Sequence, residues 1–161
     1  MNMFKALFAV LALSFSCNSF ALTDDESMDF NDALTEGKLK VVEKYVTADA
    51  KAVNEKSFAW SPLQMAANKN QVAVVNYLMS KGADLNYIHP IAQHTAFHLA
   101  AFNGHTETMK ALAKGGADVN IKLKGDVSLI RYFRDQGGKQ MVELLTSLGV
   151  KDDGCLEEKC F

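Results

Sequence analysis

The chain has 161 residues, enough for about one domain. Its formal net charge is −2 and no Lys/Arg stripe accumulates along it, so composition gives no electrostatic case for nucleic acid as a partner. With 48% hydrophobic residues, 22% charged and only 2 prolines, the composition is that of an ordinary folded domain.

The N-terminus stands apart from the rest. MNMFK carries one positive charge, ALFAVLALSF is apolar apart from Ser14, and SCNSFA closes it with small residues. This layout is that of a secretory signal peptide, residues 1–21, with Ser19 and Ala21 at the −3 and −1 positions of a cut after Ala21. The apolar run is about ten residues, short for a helix crossing a roughly 30 Å hydrocarbon core, so no membrane span is expected. A rival reading makes Cys17 the acylated residue of a lipoprotein signal, although Ser14-Phe15-Ser16 matches a lipobox poorly. The mature chain, Leu22 to Phe161, is expected to be periplasmic or secreted. Residues 22–27, with Asp24-Asp25-Glu26, read as a solvated N-terminal tail.

Self-comparison gives the organisation of the mature chain. SPLQMAANKNQVAVVNYLMSKGADLN from Ser61 aligns without a gap on TAFHLAAFNGHTETMKALAKGGADVN from Thr95, at an offset of 34 residues. Ala66-Ala67 falls on Ala100-Ala101, Leu78 on Leu112, and Gly82-Ala83-Asp84 on Gly116-Ala117-Asp118. SLIRYFRDQGGKQMVELLTSLG from Ser128 and FNDALTEGKLKVVEKYV from Phe30 extend the pattern to four copies, at about 28–57, 58–90, 91–124 and 125–150. Each copy predicts two short helices. Ser61 and Thr95 are N-caps, Pro62 suits the first helical position, a glycine or Asn70 breaks the first helix, and Gly82, Gly116 or Gly149 ends the second.

These motifs resemble the ankyrin repeat. SPLQMAA and TAFHLAA stand in the place of the family's TPLHxAA, with GHTETMKAL in a second helix and GADLN and GADVN closing two copies. The resemblance is fullest over 58–122, then 28–54, and least over 125–150, where Phe133 and Arg134 replace the small alanines. It implies an all-α solenoid of about four helix-turn-helix repeats with projecting loops, the last copy serving as a cap.

Three histidines, His89, His94 and His98, crowd NYIHPIAQHTAFHLAAF. His98 falls on the family's structural histidine, and His105 on the step between helices. His89 and His94 lie in the loop before Thr95, with no acidic residue near in sequence to orient a ring over a metal. No metal or cofactor is therefore expected, and the absence of CxxCH speaks against haem. A nucleophile with a base, paired carboxylates and a phosphate-cradling glycine loop are also missing, so no catalytic residues and no enzyme are expected.

The family resemblance places partner contacts on loop tips and on the exposed side of the first helices. Candidate partner-binding residues are Phe58, Trp60, Lys69, Tyr87, Ile88, His89, Ile91, His94, Phe102 and Asn103, an aromatic patch with a polar rim. Phe58 and Trp60 have a second reading, in which they fold back over helix ends. The partner is expected to be another protein, bound by a monomer. Small periplasmic proteins similar to this one include immunity proteins that occlude toxic enzymes, and accessory proteins of catalases. The first role is favoured here, with the second and a secreted effector as alternatives.

The tail, 151–161, holds Cys155 and Cys160 in GCLEEKC. In an oxidising compartment such a lone pair reads as a disulfide. A loop that short contributes about 2 kcal/mol in the chain-entropy estimate, so the bridge is expected to tidy the terminus without holding the fold.

Overall fold

A computed structural model describes residues 22–154. The expected signal peptide with Cys17, and the Cys155–Cys160 pair, lie outside the described residues. Within them eight α-helices succeed one another in pairs, and none is long and apolar enough to cross a membrane. The pairs are α1 (Asp24–Glu36) with α2 (Leu39–Ala48), α3 (Pro62–Asn68) with α4 (Val72–Ser80), α5 (Ala96–Phe102) with α6 (Thr106–Lys114), and α7 (Leu129–Asp135) with α8 (Lys139–Ser147). This is the expected all-α solenoid of paired helices.

Every first helix starts on a hydroxyl. Thr23, Ser61, Thr95 and Ser128 are extended residues whose side chains accept from the N–H three residues on, satisfying a donor that the helix itself leaves free. The first of these corrects the expected N-terminal tail. Asp24-Asp25-Glu26 is the opening turn of α1, with Glu26 bonding back to the Thr23 N–H. Negative charge is favoured at that end of a helix, so the acidic run begins the fold instead of trailing from it.

Each pair turns through one left-handed residue: Gly37, Asn70, Gly104 or Gly137. Gly37 is constrained twice, by a φ of +77° and because a Cβ there would sit 2.2 Å from Gln71 Oε1. Gln71 uses that space to donate to the Thr35 carbonyl at 2.7 Å, joining the first unit to the second.

Helices of seven and nine residues do not persist alone in water; stacking holds them. Ala33, Ala66, Ala67, Ala100 and Ala101 are fully buried, and α1, α3 and α5 pack closely across them. Phe30, Leu63, Phe97 and Ile130 recur at one register of the first helices, and Leu78, Leu112 and Leu145 at one register of the second, all buried. Each large side chain contributes about 2 kcal/mol on burial. Along the loop edge runs an asparagine ladder. Asn54, Asn86 and Asn120 accept through Oδ1 from the backbone N–H of Asp84, Asp118 and Lys151 at 2.8, 2.8 and 2.7 Å.

The fourth unit sits differently. α7 and α8 pack together like the earlier pairs, while α5 with α7 and α6 with α8 approach at few points. Phe133 stands in the register of Ala66 and Ala100, too bulky for the close approach that those residues allow. An open groove of about 590 Å³ lies beside it, lined by Gly104, Thr106, Phe133, Met141 and Leu144 among others.

Candidate functional site

The histidine cluster resolves into three different roles. His98 is 1% exposed; its Nδ1 accepts from the Thr95 N–H at 3.1 Å and its Nε2 lies 2.8 Å from the Ile121 carbonyl. Because Nδ1 accepts, Nε2 carries the proton and donates. Burial holds this imidazole below the ordinary histidine range, against the opposing pull of the Ile121 carbonyl. Gln64 does the same work one unit earlier. Its Oε1 accepts from the Ser61 N–H at 3.0 Å, and its Nε2 donates to the carbonyls of His94 at 2.7 Å and Tyr87 at 3.3 Å. His98 is thus a residue of the fold, tying a helix start to the next loop. His105 is another, its Nε2 lying 3.2 Å from the Asn68 carbonyl. In the fourth unit Arg131 holds this position and has no acceptor to offer, so Asp153 from the tail takes the Ser128 N–H at 2.9 Å.

His89 departs from expectation. It is 5% exposed, so its ring is covered in the free chain. Its Nδ1 accepts from the N–H of Ala92 at 3.0 Å and of Ile91 at 3.2 Å, so its own loop winds around the ring. Trp60 covers that ring, with centroids 4.0 Å apart and planes inclined by 38°. Its Nε2 is buried without a hydrogen-bond partner within the protein.

The loop tips carry the exposed apolar residues. Phe58 is 94% exposed, Ile91 86% and Ile88 42%. Of the two readings for Phe58 and Trp60, Phe58 projects, while Trp60 is half-buried on His89. Ser57 pairs with Trp60 across a two-residue turn, in which Phe58 and Ala59 have φ of 49° and 66°. Neighbours brace this hairpin: the Tyr87 hydroxyl donates to the Ala59 carbonyl at 2.9 Å, and Asn31 Nδ2 donates to Ser57 Oγ at 2.9 Å. Tyr87 is half-buried, with Lys56 Nζ 4.9 Å from its ring centre. Behind the hairpin Thr35, Trp60, Gln64, Met65 and Asn68 line a cleft of about 180 Å³.

A second aromatic group lies across α5 and α7. His94 meets Phe102 edge-on at 4.9 Å, Phe102 meets Tyr132 at 5.1 Å, and Tyr132 meets Phe133 at 5.1 Å. All four side chains are half-buried. Burial, then the nearby His89, hold His94 below the ordinary histidine range. Exposed Asn103 donates to Asn68 Oδ1 at 3.0 Å, and Lys69 beside it is exposed. Among the described residues no ring contact joins Trp60 to this second group, so the rings form two contact groups, Trp60 with His89 and His94 with Phe102, Tyr132 and Phe133. Tyr132 and Phe133 were not among the expected site residues. The signal for them was present in Phe133 at an alanine register. No three His, Cys, Asp or Glu side chains among the described residues are placed to hold a metal ion.

Comparison with known proteins agrees with this architecture. The family described as ankyrin repeats (3 copies) matches residues 30–122. Ankyrin repeat and SAM domain-containing protein 6 of Rattus norvegicus is 30% identical over 132 residues, covering 78% of this chain and 15% of that protein. Ankyrin repeat and KH domain-containing protein mask-1 of Caenorhabditis elegans is 30% identical over 109 residues, 68% of this chain and 4% of its own. Ankyrin repeat, SAM and basic leucine zipper domain-containing protein 1 of Notamacropus eugenii is 26% identical over 126 residues, 74% of this chain and 26% of its own. The chain thus spans about a quarter or less of these curated relatives. With its paired helices, buried alanines and capped helix starts, the chain belongs to the ankyrin-repeat family.

Proposed function

We propose that this is a non-enzymatic protein-binding module of the periplasm, which engages a partner enzyme and occludes it in the manner of an immunity protein. Ankyrin repeats generally mediate binding between proteins. The binding face in this reading is formed by the loop tips Phe58, Ile88 and Ile91 together with Phe102, Tyr132 and His94 on the first-helix side.

The observation that carries the reading is Phe58. A left-handed backbone costs a non-glycine residue roughly 1–2 kcal/mol, and a ring left 94% exposed recovers none of it in the free protein. Strain of this kind that neighbouring bonds brace is characteristic of residues held for recognition. An exposed aromatic on a rigid turn also loses little conformational freedom on binding, which suits it to anchor an interface. The periplasmic location rests on the leader-like residues 1–21.

The test is a pull-down from periplasmic extract with tagged residues 22–161, beside a Phe58→Asn/Phe102→Ala variant whose fold is checked by circular dichroism. One secreted enzyme retained by the parent, lost with the variant and inhibited in a purified assay supports the proposal. Equal retention by both proteins overturns the assignment of the face. Recovery of catalase, with its activity intact, replaces occlusion by an accessory role.

A further inference from the structure

The loop from Asn86 to His94 is built around the His89 imidazole. His89 Nδ1 is an acceptor for two amides, Ile91 and Ala92, and the chain closes on itself through His89 N–H to the His94 carbonyl at 3.0 Å and Gln93 N–H to the His89 carbonyl at 2.8 Å. Trp60 seals the ring from the side of the preceding hairpin. A proton added at Nδ1 would set three donors against one another and leave the Ile91 and Ala92 amides without an acceptor. It would also leave a charge with no counter-ion in a site only 5% exposed. The titratable groups facing this loop include His94 and Tyr87 on the loop itself, His98 on α5 against His94, and Lys56 on the preceding hairpin. Among the described residues no carboxylate bonds to the His89 ring.

We infer that His89 is a proton-operated latch: proton uptake opens the Pro90–Gln93 tip, withdraws Ile91 from its fixed position and frees Trp60, while the stacked helices stay folded. The inference rests on the proposed binding face, whose presentation the latch regulates. The opening itself is a property of the free protein and is read without any partner. Trp60 is the single tryptophan of the chain, so its fluorescence reports the surroundings of this one ring, His89 among them.

The experiment takes the full chain from about pH 8 to about pH 5, with three readouts. These are Trp60 emission, hydrogen exchange at the Ile91 and Ala92 amides, and far-ultraviolet circular dichroism. Expected are a loss of Trp60 intensity and a fall in amide protection of about tenfold per pH unit on the acidic side, at constant helix content. His89→Asn, which offers an uncharged acceptor near the Nδ1 position, abolishes both changes; His94→Asn leaves them. Long-range proton–nitrogen spectra of the parent protein give the His89 tautomer directly, so the outcome does not depend on the variants folding. Both changes persisting in His89→Asn, or an Nδ1-protonated ring at neutral pH, overturns the latch. A partner retained equally by the Phe58/Phe102 variant overturns the binding face and leaves the latch standing.

Discussion

The third and fourth units share one plan, at an offset of 33 residues, yet treat one position in opposite ways. Ala100 is fully buried between α5 and its neighbours, whereas Phe133 at the matching register is half-exposed and leans on Phe102 and Tyr132. The alanine is needed where another helix must come close. In the fourth unit the same position carries a ring that takes part in a surface aromatic group.

The sharpest way to break the comparison is to exchange the two. Ala100→Phe puts a ring where no space exists and is expected to destabilise by about 3 kcal/mol, read as a lowered urea midpoint. Phe133→Ala removes only half-buried contacts and is expected to cost about 1 kcal/mol. Equal costs would mean that the fourth unit is as tightly stacked as the third.

The histidine register gives a second contrast, of slightly smaller effect. His98→Ala leaves a cavity, the Thr95 N–H and the Ile121 carbonyl unpaired, and is expected to cost about 2–3 kcal/mol. His98→Gln copies the solution already present at Gln64 and should cost under about 1 kcal/mol. Denaturant titration of the pair separates the loss of the bridge from the loss of the ring.

Acid should then weaken the centre more than the end. In the unfolded chain a histidine takes its proton near pH 6.5, while burial holds His98 and His94 lower in the fold. The folded state therefore binds fewer protons than the unfolded one in that window. Stability is full above about pH 6.5 and declines as pH falls through it toward the folded values. Urea midpoints from about pH 7.5 to 5.5 should show the decline, and His98→Gln should flatten it.

The smallest effect is a gain. Phe58→Asn places a residue that tolerates the left-handed region in the hairpin turn and is expected to stabilise by about 0.5–1 kcal/mol. A loss on calorimetry would mean that Phe58 contributes packing its exposure conceals.

Residues alone reveal whatever is settled within one unit. Caps at Ser61 and Thr95, the turn at Asn70 and the alanine pairs depend on neighbours three or four positions away and on the next copy at a fixed offset. The acidic run Asp24-Asp25-Glu26 reads as a tail because a tail and a first helical turn share the same composition; Thr23 before it is the distinguishing residue. The site is less legible because its loops are shaped by contacts between units. Nothing within PIAQH announces that two of its amides turn inward to His89, or that Trp60 from another loop covers the ring. Gln64 likewise gathers the carbonyls of Tyr87 and His94 from the next loop, a bond that no spacing reveals.

The asparagine ladder bears on how such a chain grows. The first two rungs join a side chain of one unit to a main-chain N–H of the next, and the third accepts from Lys151, just past the fourth unit, where the earlier ones accept from Asp84 and Asp118. The join is therefore indifferent to which side chain its neighbour brings. A unit duplicated in the gene brings both halves of this joint with it, an asparagine and a main-chain N–H, which is one of the contacts a repeat array needs between neighbours.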